Sequence, residues 1–143
     1  MFTIKKSENY IKEIEDNSIL VTADTIVVVD GVILGKPKNE QEAKDFLRLL
    51  SYKSHKVITG CCLRNNKNIS RHFSQETIVK FKELTEEEID YYVNKFKPFD
   101  KAGAYGIQEW IGTVGIENIQ GDYYNVVGFP CNQFFKLAKE IME

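Results

Sequence analysis

The sequence is poor in the residues that crosslink a chain or bind structural metals. Its 143 residues include only three cysteines and two histidines. Cys61 and Cys62 are adjacent, a spacing that suits neither a disulfide framework nor a CxxC zinc site, and neither histidine has a cysteine or histidine at zinc-ligand spacing. The odd cysteine count and the lack of a secretory signal at the N-terminus are typical of a reducing compartment, so we predict a cytoplasmic location.

Two classes of partner are also disfavoured. The 19 Lys and Arg residues nearly balance 21 Asp and Glu residues, whereas a nucleic-acid-binding domain usually has a basic excess. No apolar run approaches the ~20 residues of a membrane-spanning helix. We therefore expect neither a nucleic acid nor a membrane as partner. The 43% hydrophobic and 28% charged residues are typical of a folded globular domain.

Helical and strand patterns alternate along the chain. Helices are predicted at residues 7–16, after Asn39 as N-cap, after a Thr85/Glu88 capping box, and from about Asn132. Strands are predicted at 18–29, 32–34, 55–64, 72–82, 113–119 and 123–127, with hairpin turns at 30–31 and 65–68. These elements predict an α/β domain with a mixed, twisted sheet and flanking helices.

Four segments stand out from the rest of the chain. The fourth, residues 121–130, is interpreted as structural, and the other three carry residues suited to chemistry. Asp24 lies among apolar strand residues, where a carboxylate must be solvated, hydrogen-bonded or paired. It is either a general base or metal ligand at a strand end, or an acid that caps a turn. Lys36 follows the predicted hairpin in a short Gly-Lys-Pro loop, and is either a phosphate-binding charge or an ordinary surface lysine. Residues 100–108 form a glycine-containing loop in which Lys101 could contact phosphate and Gln108 could read a base edge, unless the loop is only a turn.

In combination, five stretches of sequence resemble the Maf (septum formation protein) family of nucleotide pyrophosphatases. They are TADTIVVVDGVILGKPKNEQEAKDFLRLLS at 22–51, HKVITG at 55–60, FKELTEEEIDYYV at 81–93, DKAGAYGIQ at 100–108 and GDYYNVVGFP at 121–130. The resemblance implies the elongated α/β fold shared with inosine triphosphatase-like enzymes. It also implies hydrolysis of a nucleoside triphosphate to the monophosphate and pyrophosphate, in the branch of the family that acts on dTTP and UTP.

The resemblance assigns roles to five residues. Asp24 matches the catalytic aspartate, which serves as general base and acts through a divalent cation such as Mg²⁺ or Mn²⁺. Thr25 and Gln108 match positions that set base preference, and Lys36 and Lys101 match phosphate-contacting positions. The partners implied are the nucleotide substrate and a second copy of this chain in a homodimer.

One feature of the family is missing from this sequence. Maf proteins begin with a strand and a Ser-x-Ser-Pro-Arg-Arg loop, and neither is present here. We therefore expect residues 1–143 to form a single Maf-like domain that is incomplete at its N-terminus, with weak or no activity alone. The alternative to an active pyrophosphatase is a non-catalytic or impaired nucleotide-binding or regulatory protein linked to cell division.

Overall fold

The computed structural model describes residues 18–142, so the helix predicted at 7–16 lies outside the described residues. The elements in chain order are β1 (Ile19–Val29), β2 (Val32–Leu34), α1 (Glu40–Leu50), β3 (Ser54–Asn65), β4 (Ser70–Phe81), α2 (Glu86–Phe96), a 3-10 turn (Ala102–Ala104), α3 (Trp110–Gly115), β5 (Ile116–Gln120), α4 (Tyr123–Val127) and α5 (Cys131–Met142). None of the helices in this part of the chain combines the length and the apolar content that a membrane crossing needs.

The five strands form one sheet in the order β2-β1-β3-β4-β5. The α/β class predicted from the sequence is confirmed. Every pairing between strands of residues 18–142 is antiparallel, so the predicted mixed sheet has no parallel pair in this region. The tight turns at Asp30–Gly31 and between β3 and β4 explain two of these four pairings, since strands joined by so few residues can only pair antiparallel.

One face of the sheet carries two apolar clusters. The first packs under α1 and α2, and the second packs under α5. Val27 in the first cluster and Ala23 beside the second are an even number of residues apart on β1, which puts their side chains on the same face. Thr59 and Thr77 lie on that face as well, and both are fully buried. A polar strip therefore separates the two apolar halves of the sheet.

The two strongest helix-start signals are correct. Asn39 Oδ1 accepts a hydrogen bond of 2.8 Å from the Glu42 amide at the start of α1. At α2, Thr85 Oγ1 accepts from the Glu88 amide while the Glu88 carboxylate accepts from the Thr85 amide. Such caps satisfy amides that the first helical turn leaves without partners.

Two predicted strands near the C-terminus are wrong, wholly or in part. Residues 113–115 belong to α3, and only 116–120 form a strand. Residues 123–127 form a helix, although their valines and tyrosines favour strands. Asp122 begins this helix by accepting a 2.8 Å hydrogen bond from the Tyr124 amide. The helix places Asn125 in the buried polar strip, and this tertiary contact outweighs the local strand preference.

Candidate functional site

A cavity of about 270 Å³, here called the groove, opens where the two apolar halves of the sheet meet. Its lining comes from β1, from the loop after β2, from residues 100–108 and from residues 126–128. All five residues singled out in the sequence line it, namely Asp24, Thr25, Lys36, Lys101 and Gln108. The structure thus brings together side chains that are up to 84 positions apart in the sequence, as the numbers of Asp24 and Gln108 show.

Asp24 borders the groove from the interior of a strand. It is paired across the sheet with Gly60, which has no side chain to crowd it. β2 pairs with β1 only between Val27 and Val29, so within residues 18–142 no strand covers the other edge of β1 beside Asp24. The edge position leaves the half-buried Asp24 beside the cavity. It also rules out the interpretation of Asp24 as a turn cap.

Charges of both signs meet at the mouth of the groove. Lys101 Nζ lies 3.3 Å from Asp100 Oδ1, and this hydrogen bond lowers the pKa of the Asp100 carboxyl, with a smaller contribution from the charge of Lys36. Asp24, Lys36, Asp100 and Lys101 all line the groove, so residues of both charges border one cavity.

The 100–108 loop is held by backbone contacts that require small residues. Gly103 has φ +73°, and its amide donates a 3.1 Å hydrogen bond to the Gly35 carbonyl. A Cβ on Gly103 would lie 2.8 Å from Val27 Cγ2, so the loop packs directly on β1. The Gly106 amide donates to Tyr92 Oη, which in turn donates a 2.6 Å hydrogen bond to Glu109.

A buried histidine supports the wall of the groove. Tyr105 lines the groove, and its Oη lies 2.6 Å from Nε2 of His55. His55 is only 2% exposed, and burial lowers its pKa to about 4, so its ring is neutral near pH 7. Burial also raises the pKa of Tyr105. The pair is thus a neutral hydrogen bond that fixes the Tyr105 ring against Phe81.

The opposite wall consists of residues 126–128, which are anchored through Asn125. Its side-chain amide donates to the carbonyls of Val57 and Gln75 and to Thr77 Oγ1, at distances of 3.0–3.1 Å. Because Asn125 is fully buried, these bonds fasten α4 to the central strands of the sheet. The position of this wall therefore depends on these bonds and on the 3.1 Å hydrogen bond that the Thr77 hydroxyl donates to the Asp122 carbonyl at the start of α4.

Sequence reasoning missed three parts of the lining. Asp100 and Tyr105 lie in the 100–108 loop but had no role assigned, and residues 126–128 belong to the segment 121–130, which was interpreted as structural. Asp100 had a usable signal, since it directly precedes a lysine in a glycine-containing loop. The contribution of residues 126–128 depends on the helix at 123–127, which local sequence did not indicate.

Comparisons with known proteins agree with the resemblance noted in the sequence. Residues 2–141 match the family described as Maf-like protein. The chain is 49% identical over 140 residues to the dTTP/UTP pyrophosphatase of Christiangramia forsetii, covering 98% of this chain and 71% of the relative. It is 46% identical over 129 residues to that of Porphyromonas gingivalis strain ATCC 33277, covering 90% and 64%. For Phocaeicola vulgatus the identity is 47% over 137 residues, covering 96% and 70%.

These matches cover nearly all of the chain, which itself spans between 64% and 71% of the length of these relatives. The family match includes every residue of the groove. The chain belongs to the Maf-like protein family.

Proposed function

We propose that the groove binds dTTP or UTP and hydrolyses the bond between the α- and β-phosphates, releasing the nucleoside monophosphate and pyrophosphate. The observation that supports this best is the convergence of Asp24, Thr25, Lys36, Lys101 and Gln108 on one cavity. Relatives about half identical to this chain are named dTTP/UTP pyrophosphatases. Both nucleotides belong to the cytoplasmic pool, and we place the activity there.

Asp24 is the proposed general base. A carboxylate at the edge of the groove can accept a proton from water as the water oxygen bonds to phosphorus. The phosphoanhydride bond then breaks, and the electron pair leaves with pyrophosphate. General-base catalysis typically contributes about 10²–10⁴ in rate, which sets the size of the effect expected when Asp24 is replaced.

Lys36 and Lys101 are the proposed phosphate ligands. A triphosphate carries about four negative charges near neutral pH, and phosphoryl transfer depends mainly on positioning and on offsetting this charge. Lys101 now pairs with Asp100, in a contact exposed enough for phosphate to replace it. The balanced charge of the whole chain does not oppose this, because the field that matters is local.

The carboxylates of the groove also fit a divalent cation shared with substrate. Within residues 18–142, no three His, Cys, Asp or Glu side chains converge in a way that would hold a metal alone. Mg²⁺ commonly uses one or two carboxylates together with substrate phosphates and water, and Asp24 and Asp100 are the two available here. Once bound, the cation would polarise the phosphoryl oxygens.

Thr25 and Gln108 are the proposed contacts to the base. Gln108 is exposed and carries both a donor and an acceptor, while Thr25 offers a hydroxyl group. Both can therefore bond to the polar edge of a pyrimidine.

The test is pyrophosphate release by the purified chain from dTTP, UTP, dATP and GTP, with Mg²⁺ or Mn²⁺ and with EDTA as control. We expect weak release, from dTTP and UTP only and only with metal. Release from purine nucleotides at a similar rate contradicts the proposal. Binding of UTP without release from any nucleotide also contradicts it, and supports a nucleotide-binding regulator instead.

A further inference from the structure

A tight turn of residues 106–109 presents Gln108 to the groove. The Glu109 amide donates a 3.0 Å hydrogen bond to the Gly106 carbonyl. This bond closes the turn around its two central residues, Ile107 and Gln108. Ile107 is buried in the first apolar cluster, whereas Gln108 is exposed and lines the groove. Because solvent surrounds most of an exposed side chain, the position of Gln108 follows the backbone of the turn.

Both ends of this turn are bound by one hydroxyl group, that of Tyr92 on α2. The Gly106 amide donates to Tyr92 Oη at 3.0 Å, and Tyr92 Oη donates to Glu109 Oε1 at 2.6 Å. An amide can only donate and an ionised carboxylate can only accept, so the hydroxyl uses a lone pair at one end of the turn and its proton at the other. Burial raises the pKa of Tyr92, so this proton stays in place near neutral pH.

Tyr92 is a firm point of attachment for the turn. Its side chain is fully buried, and its ring stacks on Phe96 with ring centroids 5.1 Å apart. A group carried by a helix is placed more accurately than one carried by a loop. The Gly106 amide is buried as well, so loss of the hydroxyl would leave it without this partner away from bulk water. The turn would then have to shift to satisfy the amide.

We propose that Tyr92 and Glu109 are positioning residues that hold the 106–109 turn so that Gln108 faces the base of the nucleotide. Neither Tyr92 nor Glu109 lines the groove, so both act through Gln108. This inference rests on the proposed function and extends it to residues outside the groove. A contact to the base is made equally in the ground state and the transition state, so its loss raises KM and leaves kcat unchanged. One lost hydrogen bond weakens binding about three- to tenfold.

The experiment is a double-mutant cycle between Tyr92 and Gln108. The affinity for α,β-methylene-UTP is measured by calorimetry with Mg²⁺ for the wild type, Tyr92→Phe, Gln108→Ala and the double variant. Each single substitution should weaken binding about three- to tenfold. Once the Gln108 amide is gone, Tyr92→Phe should add less than about twofold, because it has nothing left to position. A residue that only stabilises the fold would have the same effect in both backgrounds.

Variants of Glu109 and Ser51 separate this role from general stability. Glu109→Gln keeps an acceptor for the Tyr92 hydroxyl and should bind within about twofold of the wild type, whereas Glu109→Ala should weaken binding as Tyr92→Phe does. Ser51→Ala is the matched control, because Ser51 Oγ also accepts from a backbone amide, that of Leu84 at 2.7 Å, but lies outside the groove. It should leave the affinity unchanged.

Thermal melting checks that each variant folds, and Glu109→Ala replaces Tyr92→Phe in the cycle if the latter does not. The inference is overturned if Tyr92→Phe weakens binding equally in both backgrounds or not at all, or if Gln108→Ala binds as tightly as the wild type. Pyrophosphate release from UTP by the wild type tests the function on its own. Coupling without release supports the inference and refutes the function, and release without coupling does the reverse. Failure of the wild type to bind the analogue refutes both.

Discussion

Gly103 is the position where a single methyl group should do most damage to the groove without touching its polar residues. Its φ of +73° is in the left-handed region, and the added Cβ of Gly103→Ala would lie 2.8 Å from Val27 Cγ2. A left-handed alanine costs about 1–2 kcal/mol, and overpacking a core costs about 1–3 kcal/mol. Val27 is a rigid, fully buried strand residue, so little of this strain can relax.

We therefore expect Gly103→Ala to lower the free energy of unfolding by about 3 kcal/mol. With an unfolding entropy of about 2.1 cal/mol/K per residue, this corresponds to a fall of about 10 °C in the melting temperature of a chain of 143 residues. The assay is thermal unfolding followed by circular dichroism. A melting temperature within about 2 °C of the wild type, far below the ~10 °C expected from these costs, would refute the reasoning.

Gly106→Ala is the matched control in the same loop. Its Cβ would approach Lys101 Cε to 2.7 Å and Glu109 Oε1 to 2.8 Å, which are the ends of flexible side chains. We expect a loss of stability below about 1 kcal/mol, because such ends can move. Displacement of Lys101 should instead weaken nucleotide binding several-fold. The two variants thus distinguish an effect on the stability of the loop from an effect on the Lys101 charge that binds the nucleotide.

Three further predictions concern single side chains. The pKa of His55 is lowered by burial to about 4 in the folded protein, from about 6.5 in the unfolded chain. The contribution of the neutral His55 ring to the free energy of unfolding is therefore complete above pH 6.5, and it declines as the pH falls toward 4. In urea unfolding, the free energy of unfolding should fall by about 3 kcal/mol more for the wild type than for His55→Gln over that pH range. Equal falls in the two proteins contradict this prediction. Lys36→Ala should raise KM for UTP about tenfold, as expected for the loss of a charged hydrogen bond. Lys38 lies outside the groove, so Lys38→Ala should leave KM unchanged. Equal effects of the two substitutions argue against Lys36 as a phosphate ligand. Thr85→Ala should cost about 1 kcal/mol in thermal unfolding, and an unchanged melting temperature would show that the cap is not stabilising.

The sequence predicted those parts of the fold that local physics decides. Asn39 and Thr85 were identified because a capping side chain and its amide partner lie within three residues of each other. The hairpin at Asp30–Gly31 was found for a similar reason. The turn needs positive φ at both of its central residues, and an Asp-Gly pair favours that conformation. Site residues such as Asp24 and Lys36 were singled out by chemical type and by resemblance.

What the sequence could not predict depends on contacts across long separations. The helix at 123–127 exists because Asn125 finds its acceptors in β3 and β4, about 50–70 residues earlier in the chain. The same contacts give residues 126–128 their place in the groove. The pairing of His55 with Tyr105 is equally non-local, because 50 positions separate them. No window of local sequence contains either arrangement.

The central claim is that Asp24 removes the proton from water in the groove, and Asp24→Asn tests it most directly. The asparagine has nearly the same shape, so UTP should raise the melting temperature of the variant as much as that of the wild type, because binding favours the folded state. Pyrophosphate release from UTP should fall at least about 100-fold. Asp30→Asn, six residues further along and outside the groove, should keep the wild-type rate. If Asp24→Asn binds UTP and keeps more than about a tenth of the wild-type rate, Asp24 is not the general base.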